Sequence, residues 1–236
     1  MSKPPITDVH AQAKTEYVDD FIVPPCDGDI KVVYEDDAIL LLEKPTKLLS
    51  LSGRNPLNKD SVHLRLVQSH PTASLIHRLD FGTSGLMLVA LNKEITAHLS
   101  RQFSERQVSK TYTAVLAGHL TPSNGEISIP LIKDQENFPL QKVCEQYGKH
   151  AVSAYEVLEY ADNPNSTRVI YRPITGRTHQ LRIHSREIGH PILGCDLYGT
   201  EQTYKLAPRL MLHACSLEFT HPIHNTLFKW ESPAPF

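Results

Sequence analysis

Short runs of β-forming residues, separated at irregular intervals by helical patterns, constrain this chain more than any other feature. Residues 85–91 form an apolar run typical of a buried strand, and residues 110–117 are rich in β-branched and aromatic residues. Residues 151–159 and 167–174 indicate a strand pair around a turn at residues 162–165. Because no βαβ pattern repeats, the sequence predicts an α+β fold with a mixed sheet.

The other predicted elements are less regular. Asn92 can cap a helix in which Ile95, Leu99 and Phe103 recur every four residues. The remaining predictions are strands at residues 32–34, 38–43, 127–131 and 210–219, and helices at residues 61–70 and 178–188.

The chain length of 236 residues suits a single domain. Residues 1–29 are polar and contain two Pro-Pro pairs, so we interpret them as a leader on the surface of a domain at residues 30–236. No run approaches the ~20 apolar residues of a membrane span, which argues against membrane insertion. The N-terminus lacks the apolar core of a secretory signal, and the four cysteines form no C-x-x-C pair. These features predict a cytoplasmic protein.

The net charge of −2 does not by itself favour a nucleic-acid partner. Residues 1–43 hold ten acids and three lysines, a charge of −7, so the other residues carry +5. An acidic leader ahead of a mildly basic body is compatible with a local RNA-binding face. The alternative is a solvated acidic segment without a function.

A compact polar turn holds the first candidate catalytic group. Asp80 lies in the sequence His77-Arg-Leu-Asp-Phe-Gly-Thr-Ser-Gly85, just before the predicted buried strand. The glycines permit tight turns, and Thr83 and Ser84 can bond their own backbone, so the carboxylate would be held by the main chain. The structural alternative is an aspartate that merely completes the turn.

The second candidate segment runs from Arg172 to His184. Arg177 lies where a strand gives way to a helix, and Arg182 and Arg186 share one face of that helix near His179. A guanidinium at such a bend can pair with a carboxylate across a cleft and keep it ionised. A solvated helix face is the alternative.

These segments and three others together resemble the RluA family of pseudouridine synthases. The resemblance covers about residue 31 to the end, and all of its motifs are in order. Residues 130–134 and 141–144 further resemble the branch that modifies both 23S ribosomal RNA and tRNA anticodon stem-loops. The short acidic leader does not fit the S4 RNA-binding domain that many relatives carry. The matching residues are Tyr34–Asp37, Lys44-Pro45, His77–Asp80, Thr83–Gly85, Lys110–Tyr112, Gly176–His184 and Leu212–Ala214.

The resemblance implies a pseudouridine synthase fold, with a mainly antiparallel central sheet flanked by helices and loops. It implies that Asp80 is the essential carboxylate, that Arg177 pairs with it, and that Tyr112 stacks on the flipped base and helps to remove the C5 proton. Arg78 would enter the space left in the base stack. The implied RNA-contacting residues are Arg78, His77, Thr83, Leu181, Arg182 and His179. The partner would be RNA, with no obligate protein partner, no cofactor and no metal.

Three alternatives stay open at this point. Thirteen histidines raise the possibility of a metal hydrolase, but His179/His184 and His221/His224 lack a known ligand arrangement. A catalytically silent RNA-binding protein would be favoured if Asp80, Tyr112 or Arg177 were absent, and all three are present. A synthase with a single ribosomal or transfer RNA target is the third.

Overall fold

The computed structural model describes residues 22–236, within which twelve strands and four helices form. The strands are β1 Lys31–Glu35, β2 Ile39–Lys44, β3 Ser74–Leu75, β4 Ser84–Ala90, β5 Ser109–Ala117, β6 Asn124–Ser128, β7 Leu131–Lys133, β8 Gln141–Val143, β9 Val152–Asp162, β10 Asn165–Pro173, β11 Leu212–Thr220 and β12 Leu227–Glu231. The helices are α1 Val62–Leu66, α2 Lys93–Ser104, α3 Gln180–Glu187 and α4 Glu201–Lys205.

Ten of these strands form one mixed sheet. Its main order is β1-β2-β4-β11-β5-β10-β9-β6, with β12 beside β11 and β3 beside β4, while β7 and β8 form a separate hairpin. The pairing of β4 with β11 is parallel, and the other pairs of this sheet are antiparallel. The predicted α+β class with a mainly antiparallel sheet is therefore confirmed.

The parallel pair brings two distant motifs into contact beside the Asp80 turn. Gly85 lies opposite Ala214, and its φ of +114° is one that other residues rarely adopt. A Cβ atom on Gly85 would lie 2.3 Å from the carbonyl oxygen of Ala214. Glycine is thus required both for the backbone conformation and for the close approach of β11.

Most of the predicted elements form near their predicted positions. Asn92 caps α2 by accepting a hydrogen bond from the backbone N–H of Ile95 at 2.9 Å, and β9 and β10 meet at the predicted turn. The strand predicted at residues 127–131 is wrong, because the chain leaves β6 at Ser128 and starts β7 at Leu131. Pro130 between them has no N–H to offer a sheet ladder.

The sheet is packed on both faces. One apolar cluster joins α2 to β2 and β4 through Leu41, Leu88 and Leu99. Leu42 and Val89, which point to the other face, join α1 through Val62. A third and larger cluster joins β5 and β10 to α3. The functional cleft described below opens between α3 and the end of the Asp80 turn.

The predicted boundary at residues 29–30 falls within an extended segment, and residues 1–21 of the proposed leader lie outside the described residues. The following stretch is attached to α1. The guanidinium of Arg65 donates hydrogen bonds to the carbonyl oxygens of Cys26 and Gly28 at 2.9 and 2.7 Å. Among residues 22–236, no helix has both the length and the apolar character needed to span a membrane.

Candidate active site

A cleft of about 1760 Å³ opens beside the Asp80 turn. It is lined by the Asp80 turn, the first half of β5, the segment from β10 into α3, and the C-terminal end. All nine residues predicted for catalysis or RNA contact line this one cleft: His77, Arg78, Asp80, Thr83, Tyr112, Arg177, His179, Leu181 and Arg182. Residues separated by more than one hundred positions in the chain therefore come together here.

The backbone on either side of Asp80 is held by hydrogen bonds. The Oγ of Ser50 donates to the carbonyl of Leu79 at 2.7 Å and accepts from its N–H at 3.1 Å. The N–H of Thr83 donates to the carbonyl of Asp80 at 3.1 Å, which closes the turn. The Asp80 side chain is 25% exposed. Its carboxylate is therefore fixed by the main chain while one side of it faces the cleft.

Lys44 lies beneath this turn and is almost fully buried. Its Nζ donates to the carbonyl oxygens of Pro45 and Leu48 at 2.8 Å each, and of Phe81 at 3.3 Å. Burial lowers the pKa of Lys44 to about 7, and the charge of Asp80 acts in the opposite direction. The Lys44-Pro45 pair belonged to the resemblance, but sequence reasoning gave this amine no role.

Arg177 does not pair with Asp80 in this structure, so that prediction is wrong. The side chain is exposed, and its Nε donates to the carbonyl of His150 at 3.1 Å. The backbone N–H of Arg177 donates to Oε1 of Gln180 at 2.9 Å, which holds the bend before α3. The guanidinium therefore extends along the cleft wall and away from the carboxylate.

Arg182 is the guanidinium buried near Asp80. Only 3% exposed, it contacts Asp196 through Nη2, and its Nε and Nη2 each lie 3.3 Å from the sulfur of Cys195. Burial disfavours its charge, but Cys195, Asp80 and Asp196 outweigh that effect and raise the pKa of Arg182. Arg182 was predicted to contact RNA from one face of a helix. In the structure its guanidinium is buried and interacts electrostatically with Asp80.

His179 is the ionisable side chain closest to the Asp80 carboxylate among the described ion pairs. Its Nε2 lies 3.9 Å from Oδ1 of Asp80, and its Nδ1 lies 2.7 Å from the hydroxyl of Tyr198. Burial lowers the pKa of His179, with Asp80 opposing and Arg182 reinforcing the shift. Tyr198 was missed by sequence reasoning because no local pattern links it to a residue nineteen positions earlier.

Tyr112 lies on the cleft wall in β5, between the two halves of the sheet. It pairs with Tyr171 of β10 on one side and with Ala214 of β11 on the other. Burial and the charge of Asp80 both raise the pKa of the Tyr112 hydroxyl, so it keeps its proton at neutral pH. The phenol is thus a neutral group within the field of the candidate carboxylate.

The other predicted RNA-contacting residues differ in accessibility. Arg78 is exposed at the cleft. His77 accepts a hydrogen bond from the N–H of Leu88 at 2.9 Å and stacks on Phe103, so its ring also supports the fold. Thr83 and Leu181 are mostly buried, and Leu181 also belongs to the core under α3. Of these four side chains, Arg78 is the one best placed to reach a bound RNA.

The basic side chains at the cleft suit a polyanionic ligand. Phosphate groups attract such a surface without reading sequence, and aromatic or guanidinium planes can stack on bases. The basic residues that line the cleft are Arg78, Arg106, Lys110, Arg172, Arg177, Arg182 and Lys229.

Two of the histidines considered for a metal site, His184 and His221, are used structurally. His184 is buried and contacts Ser153 and the carbonyl of Ile129. Within the described part of the chain, one group of three possible ligands lies together, Asp36 with His221 and His224. The Asp36 carboxylate already accepts from Ala38, Ile39, Tyr34 and His221. These hydrogen bonds account for the cluster as a support of the turn between β1 and β2.

Comparisons with known proteins agree on one family. Residues 38–187 match the family described as RNA pseudouridylate synthase. The dual-specificity RNA pseudouridine synthase RluA of Escherichia coli strain K12 is 46% identical over 213 residues, which cover 90% of this chain and 97% of that protein. The Yersinia pestis protein of the same name is 47% identical over 205 residues, covering 87% and 99%.

Solved structures show the same fold. Human RNA pseudouridylate synthase domain containing 1 superposes with a TM-score of 0.74 at 31% identity, covering 90% of this chain and 86% of that one. Human RNA pseudouridylate synthase domain containing 4 gives a TM-score of 0.69 at 25% identity, covering 87% and 88%. On this identity and coverage, the chain belongs to the RNA pseudouridylate synthase family.

Proposed function

We propose that this isomerase converts uridines to pseudouridines through the carboxylate of Asp80, in stem-loops of 23S ribosomal RNA and of tRNA anticodon arms. The observation that carries the assignment is the setting of that carboxylate. It is fixed by the backbone of its turn, faces the cleft, and is surrounded by His179, Arg182 and Lys44. No other carboxylate lining the described cleft has three such neighbours.

The reaction needs one anionic group in a place that excludes water. The bond between C1′ of the ribose and N1 of uracil breaks, the ring turns, and C1′ bonds to C5. C5 then loses a proton and N1 gains one, so the product is an isomer of the substrate. The atoms balance without a redox partner or a transferred group, so a carboxylate acting as nucleophile or base suffices. Buried Arg182 and Lys44 both interact electrostatically with Asp80, so two basic groups lie near this carboxylate.

For most of the remaining residues we propose the roles that the family resemblance implies. Tyr112 stacks on the flipped uracil and takes part in removal of the C5 proton. Arg78 enters the base stack that the uridine leaves, because a guanidinium plane can stack and carry charge at once. Leu181 and Thr83 form the apolar and polar walls of the uracil pocket, and His77 supports the entrance. Arg177, which is exposed, contacts the RNA backbone.

Two considerations support the choice of RNA. Relatives that match nearly the whole chain are named dual-specificity synthases. The candidate carboxylate and several basic residues line one cleft, which favours a compact loop as the target. In such loops the bases are partly unstacked, so flipping the uridine costs less. Because bacterial ribosomal RNA and tRNA are in the cytoplasm, we propose that this enzyme acts there.

The test compares Asp80→Asn with the unaltered enzyme on isolated stem-loops from both RNAs. We expect the amide to abolish pseudouridine formation while thermal stability and RNA affinity change little, since the turn is held by backbone bonds. Asp196→Asn serves as the matched control for loss of a carboxylate near Arg182. Activity of Asp80→Asn within about tenfold of the unaltered enzyme would overturn the assignment.

A further inference from the structure

Tyr198 lies between two side chains near Asp80, His179 and Arg182. Its hydroxyl lies 2.7 Å from Nδ1 of His179, and its ring lies under the guanidinium of Arg182 at 5.3 Å. Tyr198 follows α3 in the chain and belongs to none of the motifs that identify the family. The side chain therefore contacts both neighbours of the carboxylate without itself being one of them.

The direction of the hydrogen bonds at Tyr198 is determined by a backbone group. The N–H of Gln141, the first residue of β8, donates to the Tyr198 oxygen at 2.8 Å. Because that oxygen already accepts from Gln141, its own proton is free to be donated to Nδ1 of His179. Burial raises the pKa of Tyr198 to about 12, so the phenol holds this proton at neutral pH.

An imidazole that accepts at Nδ1 carries its single proton on Nε2. That nitrogen is the one 3.9 Å from Oδ1 of Asp80. The separation is longer than a hydrogen bond, as is common for catalytic contacts before substrate binds. In the opposite tautomer the Nε2 lone pair would face the carboxylate and disfavour its anionic form.

The backbone of His179 supports a functional reason for this residue. Its φ is +56°, in the left-handed region, which residues other than glycine adopt uncommonly, histidine more often than most of them. It stands at the N-cap of α3, yet its side chain makes no capping bond. Gln180, the first residue of α3, accepts from the Thr175 hydroxyl and from the N–H of Arg177, which holds the bend before the helix. The backbone of His179 thus directs the imidazole between Tyr198 and Asp80, and not toward the helix.

We infer that Tyr198 is a positioning residue for catalysis: its hydroxyl, oriented by the backbone of Gln141, fixes the tautomer of His179 whose Nε2–H faces Asp80. The inference rests on the proposed role of Asp80. The β7–β8 hairpin then contributes to the active site, because Gln141 of β8 donates the hydrogen bond that orients the phenol. His179 acts on Asp80 as a neutral donor and leaves the carboxylate its charge.

The direct test is the tautomer of His179 in the unaltered protein, read from long-range proton–nitrogen NMR correlations at neutral pH. His179→Gln identifies the signal by its disappearance. We expect the proton on Nε2. A proton on Nδ1 would overturn the inference, and this measurement does not need an active enzyme.

The second test is Tyr198→Phe, which keeps the ring beneath Arg182 and removes the hydroxyl. We expect His179 to become a mixture of tautomers and kcat to fall by about tenfold or more, with KM within about twofold, because the lost interaction concerns the reacting carboxylate. Tyr160→Phe is the matched control. Tyr160 also packs on a histidine, His119, and donates to a backbone carbonyl, but it lies outside the cleft.

Tyr198→Phe removes two hydrogen bonds of a buried hydroxyl, whereas Tyr160→Phe removes one hydrogen bond of an exposed side chain. A purely structural role therefore predicts a larger loss of thermal stability in Tyr198→Phe but similar kinetics in the two variants. Equal kcat in Tyr198→Phe and Tyr160→Phe, with an unchanged His179 signal, would refute the positioning role. If instead Asp80→Asn is active while His179 carries its proton on Nε2, the fault lies in the assignment of Asp80 and the hydrogen-bond chain itself stands.

Discussion

The Nζ of Lys44 donates a hydrogen bond at 3.3 Å to the carbonyl oxygen of Phe81, the residue that follows Asp80. The same amine bonds the carbonyls of Pro45 and Leu48, so it joins the end of β2 to the turn that carries the candidate catalytic group. A charge this deeply buried must change the protonation balance of folding. The arrangement therefore has a measurable consequence for the pH dependence of stability.

The first prediction concerns that pH dependence. The pKa of Lys44 is lowered from its ordinary 10.5 to about 7 by burial. Between these values the unfolded chain binds one proton more than the folded protein, so the free energy of unfolding rises with pH. Its three carbonyl acceptors and Asp80 oppose loss of the proton, so we expect a rise of about 1 to 2 kcal/mol between pH 7 and pH 9.

Urea denaturation at several pH values measures this slope, and Lys44→Met should reduce it. The exposed Lys59→Met is the control that should retain it. The large shifts of His77 and His213 act below pH 6.5, and those of Tyr112 and Tyr171 act above pH 10. Burial also lowers the pKa of Lys110, which adds a slope of the same sign, so the contribution of Lys44 is the difference between Lys44→Met and the unaltered protein. Parallel slopes in all three proteins would contradict the prediction.

The second prediction concerns the parallel contact of β4 with β11. Gly85→Ala would place a Cβ atom 2.3 Å from the carbonyl oxygen of Ala214, in a φ region unfavourable to alanine. The overlapping atoms belong to the backbone of two paired strands, so moving the strands apart would cost free energy. We expect a loss of about 4 kcal/mol or more in the free energy of unfolding. Gly189→Ala is the control: its φ is +83°, but nothing lies within 4 Å of the added atom.

Urea denaturation of the two variants distinguishes strain from steric overlap. Gly189→Ala should lose only about 1 kcal/mol, the cost of the left-handed conformation alone. Equal losses in the two proteins would show that the approach of β11 contributes nothing, and that Gly85 is required only for its backbone angle.

The sequence predicted most of the fold because local rules decided it. The asparagine at position 92 caps α2, and the turn at residues 162–165 joins β9 to β10, both through short-range chemistry. β12 was missed because it has only five residues, too few for the alternation of Phe228 and Trp230 on its half-buried face to indicate a strand. The hairpin of β7 and β8 is too short for periodicity to indicate it.

The candidate site was predicted at the level of which residues meet, but not of how they pair. Arg177 and Arg182 stand five positions apart in one motif, and either could serve as the partner of a carboxylate. Which one turns inward depends on where α3 begins, and that depends on the left-handed backbone of His179. Histidine carries no signal for that conformation, and Asp196 and Tyr198 enter only through the tertiary structure.

The third prediction separates those two arginines. Arg182→Met should lower kcat by about a hundredfold or more with little change in RNA affinity, because a buried positive charge no longer supports Asp80. Arg177→Met should lower RNA affinity and leave kcat within a few fold, since its guanidinium is exposed on the cleft wall. For Arg177→Met, the plot of log binding constant against log salt concentration should be shallower by about one unit of slope. That is the change expected for one lost phosphate contact.

Single-turnover kinetics and binding at several salt concentrations measure both effects. Arg101→Met, an exposed change on α2 outside the cleft, is the control for loss of a surface charge. The opposite pattern, with kcat lost in Arg177→Met and preserved in Arg182→Met, would restore the pairing first expected from the sequence.

The fourth prediction concerns the breadth of the substrate range. The cleft is about 1760 Å³ and carries basic residues on several walls, so one hairpin loop with its flanking phosphates can occupy it. Arg78 is exposed at this cleft and can replace a flipped base in the stack, which lets the protein impose a loop shape on different RNAs. We therefore expect isolated stem-loops from 23S ribosomal RNA and from tRNA anticodon arms both to be modified.

The measurement is pseudouridine formation in each isolated stem-loop and in stems of the same sequence closed by a loop without uridine. Arg78→Lys should lower kcat/KM on both substrates, since an ammonium cannot stack, while thermal stability is unchanged at this exposed position. Modification of one stem-loop alone would make the enzyme a single-target synthase. Modification of intact ribosomal subunits but of neither isolated loop would refute recognition within one cleft, because the determinants would then lie outside the loop that the cleft can hold.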